Sequence, residues 1–204
     1  PFDELNDRLT SPTGWTVVAV PGLVPDEVFF RHLSERRFPA GNFIRKADQL
    51  DYLEEPDVFH DVFGHVPLLA QPAVADFMQA LGRLGLEALE QGALHRLARL
   101  YWYTVEFGVA REDGDLRIYG AGILSSFGET GYSLESARPA RIGFDLRRVL
   151  RTRYRTDAFQ QCYFVIDRFE DVLKLVEQND FPALYAQLDG LPDLDPADRD
   201  LLAA

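Results

Sequence analysis

The 204-residue chain carries 21 basic and 33 acidic side chains, a formal net charge of −12, with 47% hydrophobic and 26% charged residues. That balance fits one soluble globular domain and excludes a disordered chain. It also argues against a nucleic-acid partner, whose phosphates this surface would repel. The one dense basic run, Arg147, Arg148, Arg151, Arg153 and Arg155, is interleaved with Asp145 and Asp157 and carries no nucleic-acid motif.

In chain order, Pro1 to Thr10 is polar and acidic, unlike a signal peptide. No initiator Met precedes it, so a fragment or processed chain is expected. Thr16 to Val20 predicts a strand closed by Pro21-Gly22. Pro25-Asp26-Glu27 suits a first helical turn, where amide N–H groups are free and the dipole is positive, and predicts a helix to about Arg37. Pro56-Asp57 predicts another helix start with Asp57 as cap, disturbed at once by Gly64 and Pro67. Pro72 opens a longer helix, with Val74, Phe77, Met78, Leu81 and Ala88 on its core face.

A helical pattern then runs from Ala93 to Val109, and Asp113-Gly114 predicts a hairpin turn. Arg117 to Tyr119 is a strand candidate, and Gly120-Ala-Gly122 connects it to an element over Ile123 to Glu129. Asp145 to Leu150 and Phe169 to Gln178 read as helices, and Tyr163 to Ile166 as a strand. The acidic stretch from Asp189 to Ala204, with Pro192 and Pro196, is expected to be a mobile tail. Long helices and short scattered strands predict a mostly helical α+β domain over residues 1–204. No apolar stretch approaches the ~20 residues that cross a bilayer. The lone Cys162, in an apolar run, reads as a buried thiol in a reducing, cytoplasmic compartment.

Two of the four histidines stand five apart, in His60-Asp-Val-Phe-Gly-His65. On a regular helix, residues five apart lie about 140° apart around the axis, so both rings meet one ion only if the backbone departs from that helix. Gly64 and Pro67 permit such a departure, as a π-type widening or a helix end. Glu106, in Tyr101-Trp-Tyr-Thr-Val-Glu-Phe-Gly108, is a carboxylate among apolar neighbours, costly to bury without a partner. A cation supplies one, although an arginine would also serve. Two histidines and one carboxylate with open positions describe a non-haem Fe(II) oxygenase site. Zinc in the same set would instead suggest a hydrolase, and spacing does not separate the two.

Three blocks carry a resemblance. Glu55-Pro-Asp-Val-Phe-His60-Asp-Val-Phe-Gly-His65-Val-Pro-Leu68 resembles the iron-binding segment of the aromatic amino acid hydroxylases. Tyr101 to Gly108 resembles the segment bearing their carboxylate ligand, and Tyr119-Gly-Ala-Gly-Ile-Leu-Ser-Ser-Phe-Gly-Glu129 is a third match in order. The likeness runs from about Gly14 to Phe169, nearest to the bacterial phenylalanine 4-hydroxylases, and includes Asp51-Tyr-Leu53.

The resemblance implies that His60, His65 and Glu106 hold Fe(II). It implies that Gly22, Leu23, Val24 and Asp26 hold a tetrahydrobiopterin-type pterin through backbone groups, with Phe29 stacked on its ring and Asp61 nearby. Arg45 matches an arginine that pairs with the amino acid carboxylate. Pro56, Trp102, Gly122 and Ser125 match the lining of the aromatic pocket. The implied reaction is ring hydroxylation of phenylalanine to tyrosine with dioxygen. A relative acting on tyrosine or tryptophan, or a shortened inactive metal-binding fold, is the alternative. Trp102 stands where tryptophan-specific members place Phe. Thr156 stands where phenylalanine-specific members show Val or Ile and tyrosine-specific members an acid. The family's upstream segments and the tetramerisation helix of its animal members are not matched, which leads to the expectation of a monomer.

Overall fold

The computed structural model describes residues 2–46 and 56–198. Asp51-Tyr-Leu53 and Glu55, which the sequence reading singled out, lie outside the described residues, as does 199–204. Helices dominate. They are α1 (Asp3–Thr13), α2 (Asp26–Ser34), α3 (Val66–Leu69), α4 (Pro72–Glu90), α5 (Leu94–Tyr101), α6 (Ala121–Leu124), α7 (Phe127–Glu135), α8 (Leu146–Val149), α9 (Phe169–Gln178) and α10 (Phe181–Leu188). Two π-helical segments, His60–His65 and Trp102–Glu106, interrupt them.

The strands form two small sheets. In the first, β1 (Thr16–Val20) pairs in parallel with β2 (Arg37–Gly41), Val17 opposite Phe38. The second has the order β4-β3-β6-β5, from β3 (Val109–Glu112), β4 (Asp115–Ile118), β5 (Ala140–Gly143) and β6 (Cys162–Ile166). Its β3–β4 pair is an antiparallel hairpin; β6 runs parallel to both its neighbours. Every residue of β6 is buried, as expected of a parallel strand covered on both faces. Burial pushes the Cys162 thiol up to about 12, so it stays protonated.

Helix α4 is the spine of the core. The expected face of Val74, Phe77, Met78, Leu81 and Ala88 is buried, with Phe77, Leu81 and Ala88 wholly so. At Gly82 a Cβ would come within 2.2 Å of Ser34 N, so glycine lets α2 lie against α4. Trp15 is fully buried and donates to Ala75 O at 3.2 Å, locking the start of β1 to the same helix.

Several boundaries differ from those read in the sequence. The helix starting at Pro25 ends at Ser34, because Arg36 turns to φ 56° and β2 begins at Arg37. The helical pattern from Ala93 to Val109 is α5, then the π-segment, then β3. The strand expected over Arg117 to Tyr119 spans Asp115–Ile118. Ile123 to Glu129 is split by Ser126, which caps α7 by accepting from Glu129 N. Helix α1 was not foreseen, since Leu9 alone among its residues is buried. Asn6 ties it down, exchanging hydrogen bonds with Val17 N (2.7 Å) and O (3.1 Å). Within the expected tail, residues 189–198 make contacts with the rest of the fold. Leu194 bridges Thr152, and Arg99 grips Asp193 through two bonds of 2.7 and 2.6 Å.

Candidate metal centre

Each π-segment turns a side chain into the same space. A regular helix would splay His60 and His65, whereas the widened turn brings Nε2 of His65 to 3.1 Å from Nε2 of His60. Gly64 makes room for this turn: a Cβ there would sit 2.7 Å from Ala121 Cβ. The second segment closes with an i→i+5 bond from Phe107 N to Trp102 O and delivers Glu106 at its end. Glu106 Oε1 lies 3.3 Å from His65 Nε2, and Oε2 lies 3.5 Å from His60 Nε2.

One ligand atom from each of the three residues lies within 4.8 Å of the others. A metal about 2.1 Å from three atoms on one face holds those atoms about 3 Å apart, so the donor set fits an ion. Burial, with smaller effects from neighbouring charges, pushes His60 down to about 4, leaving its imidazole neutral at pH 7. Burial would raise Glu106, but the imidazoles of His65 and His60 beside it and hydrogen bonds from His65 and Tyr101 outweigh that effect and lower the carboxyl to about 2. Neutral imidazole and ionised carboxylate are the forms that bind cations.

The surroundings orient these groups. Ser125 Oγ lies 2.7 Å from His60 Nδ1 and can donate onward to Gly122 O at 3.5 Å. A proton on Nδ1 leaves Nε2 free to ligate. Arg45 is not a surface charge. Its guanidinium clasps both oxygens of the fully buried Asp57 at 2.9 and 2.8 Å and donates to Ser125 O at 3.1 Å. Asp57 also caps the turn leading to His60, accepting from His60 N at 2.9 Å. Burial alone would raise its pKa, but Arg45 and the backbone N–H groups hold it well below the usual carboxylate range.

Trp102 stacks between Phe107 and Tyr154, with centroids 5.1 and 4.4 Å away. Gly122 abuts Phe107, where a Cβ would lie 2.9 Å from the ring. Pro56 is half-buried, its carbonyl near Gly41. Asp61 is buried and accepts from Gly41 N at 2.7 Å. Burial, opposed by that bond, pushes its carboxyl up to about 6. Phe29 meets Tyr101 edge-on at 5.5 Å, and Tyr101 hydrogen-bonds Glu106. Gly22, Leu23 and Val24 lie in the connection between β1 and α2, which Asp26 begins; Leu23 is exposed.

The structure therefore gathers His60, His65, Glu106, Ser125 and Arg45 into one connected network. Trp102 and Gly122 both meet Phe107, next to Glu106, while Phe29 meets Tyr101 and Asp61 holds Gly41 N. Sequence reasoning missed Tyr101 and Tyr154, and saw Asp57 as a cap only. Their signal was adjacency: Tyr101 opens the Glu106 block, and Asp57 precedes His60 by three residues.

Fold and site together define a candidate mononuclear centre of the two-histidine, one-carboxylate class. The family model described as biopterin-dependent aromatic amino acid hydroxylase matches residues 2–181, and the chain belongs to that family. It is 60% identical to the phenylalanine-4-hydroxylase of Ralstonia nicotianae over 97% of its own length and 63% of that protein's. For the Caulobacter vibrioides phenylalanine-4-hydroxylase the identity is 59%, covering 97% of this chain and 67% of the relative. The chain thus spans about two thirds of the length of these relatives. A crystal structure of phenylalanine hydroxylase from Chromobacterium violaceum with bound oxidized Fe(III) superposes with a TM-score of 0.93 at 55% identity, covering 97% of this chain and 71% of that one. The cobalt-bound structure of the same protein gives 0.94 at 55% identity, with the same coverage. The fold is that of the aromatic amino acid hydroxylase catalytic domain.

Proposed function

We propose that the chain is the catalytic part of a phenylalanine 4-monooxygenase, converting phenylalanine to tyrosine with Fe(II), a tetrahydropterin and O2. The observation that carries this reading is the meeting of His60, His65 and Glu106 beside both Arg45 and the stacked ring of Trp102. Ferrous iron with a tetrahydropterin supplies the oxygen activation that ring hydroxylation requires.

The chain's own residues bind and orient. His60, His65 and Glu106 hold the metal on one face. Ser125 fixes the tautomer and ring plane of His60. Arg45, preset by Asp57, takes the substrate carboxylate, a group a guanidinium can grip through parallel hydrogen bonds. Trp102, with Pro56 and Gly122, receives the aromatic side chain. Phe29 offers a flat face to the pterin, while Gly22, Leu23, Val24 and Asp26 offer backbone groups and Asp61 an acceptor.

The partners are small molecules, and the chain acts as a monomer. Its single buried thiol supports a cytoplasmic location. Among the described residues, no helix is long and apolar enough to cross a membrane. Incubation with Fe(II), tetrahydropterin and phenylalanine should yield tyrosine by mass spectrometry. A product from tyrosine or tryptophan instead would reassign the substrate. No hydroxylated product at all would overturn the reading.

A further inference from the structure

Glu129 is a buried carboxylate, 5% exposed, with no task in the roles proposed above. Its Oε1 accepts from the Tyr163 hydroxyl at 2.7 Å and from Gln160 N at 3.0 Å. Both donors are neutral, and burial raises its pKa. A group this costly to bury marks a junction that the fold must hold.

Two arms leave the junction. Gln160 clasps the backbone of Arg155, accepting from its N–H at 3.2 Å and donating to its carbonyl at 2.6 Å. The residue before it, Tyr154, is stacked on Trp102 with the ring planes 18° apart. The indole N–H of Trp102 is buried with no hydrogen-bond partner among the described residues, so ring packing sets its orientation. The other arm is the first turn of α7. Ser126 caps Glu129 N, and Thr130 donates to Ser126 O and Ile123 O, which brackets Ser125 beneath His60.

We propose that Glu129 is a positioning residue for the aromatic pocket. Its carboxylate holds Gln160, which seats Tyr154 against Trp102, and through Tyr163 it ties the first turn of α7, whose backbone brackets Ser125, to β6. The consequence for catalysis rests on the hydroxylase reading; the seating is a property of the chain alone.

Fluorotryptophan labelling tests it. The chain has two tryptophans, Trp15 and Trp102, so two fluorine resonances arise, and Trp102→Phe assigns them. In Glu129→Ala the Trp102 resonance should shift or broaden, while that of Trp15, on the α4 side, stays in place and reports an intact fold. Glu129→Gln keeps an oxygen able to accept both bonds and should restore the Trp102 signal. In turnover with Fe(II) and tetrahydropterin, Glu129→Ala should raise the KM for phenylalanine about tenfold, lower kcat less, and yield less tyrosine per pterin oxidised. Glu129→Gln should recover these values. A folded Glu129→Ala protein whose Trp102 resonance is unmoved overturns the proposal, as does Glu129→Gln behaving like Glu129→Ala. Should Glu129→Ala fail to fold, Gln160→Ala cuts the arm from Glu129 to the Arg155 backbone; its Trp102 resonance should also move, and constancy there is equally fatal. If the unsubstituted chain makes no tyrosine, the hydroxylase reading fails while the resonances still decide the seating.

Discussion

At the scale of single residues, the site divides into groups that meet a cation and groups that keep those in place. His65, buried and directed at both His60 and Glu106, belongs to the first. His65→Ala should abolish tight Fe(II) binding by calorimetry and metal analysis; full occupancy in that variant would refute the ligand assignment. Arg45→Ala should act on the amino acid instead. A charge-assisted hydrogen bond contributes roughly 1.5–3 kcal/mol, so the KM for phenylalanine should rise about ten- to a hundredfold while iron still binds. Asp57 belongs to the second group. Its native pKa is depressed, so its contribution to stability is present above the unfolded value of about 3.9 and is lost as pH falls through the native one. The stability gap between the chain and Asp57→Asn, measured by urea unfolding, should therefore be widest near neutral pH and shrink below about pH 4.

At the scale of elements, both π-segments are short and depend on close neighbours. The first packs against α6, where Gly64 faces Ala121. Gly64→Ala introduces a methyl group with nowhere to go. Overpacking of that kind costs about 1–3 kcal/mol, and here it also pushes the turn holding both histidines. The denaturant midpoint should fall and the Fe(II) Kd should rise together. Gly131, on the exposed face of α7, gives the opposite sign. A Cβ there meets nothing within 4 Å, so Gly131→Ala should stabilise by roughly 0.5–1 kcal/mol and leave iron affinity unchanged. Equal destabilisation by the two substitutions would show that the steric account of Gly64 is wrong.

At the scale of the whole molecule, the ligands come from segments 41 residues apart, His65 and Glu106, so an ion at the centre stitches distant parts of the chain together. An ion bound by the native state alone adds stability by mass action, about 2.7 kcal/mol at a free concentration one hundred times Kd. Calorimetric Tm should rise with Fe(II) and return to the apo value on chelation. An unchanged Tm across that range would mean that the three side chains do not share a strongly bound ion.

Read by itself, the sequence determined the helical character, the buried face of α4, the strand at β6 and the three blocks whose residues meet at the centre. These are local patterns: apolar spacing, proline and acidic starts, and runs of specific residues around His60, His65 and Glu106. It did not determine α1, β2, β3 or β5, whose residues alternate poorly or carry arginine and proline. Such segments become regular only when paired with a neighbour, as Asn6 with Val17 or Ala140 with Cys162. Nor could it couple Arg45 to Asp57, Tyr154 to Trp102 or Glu129 to Tyr163. Those contacts join residues 12 to 52 positions apart, and nothing in either partner's local pattern encodes the other. Which groups hold the site's walls in place was decided by tertiary packing, because hydrogen bonds and ring stacking depend on distances that folding alone creates.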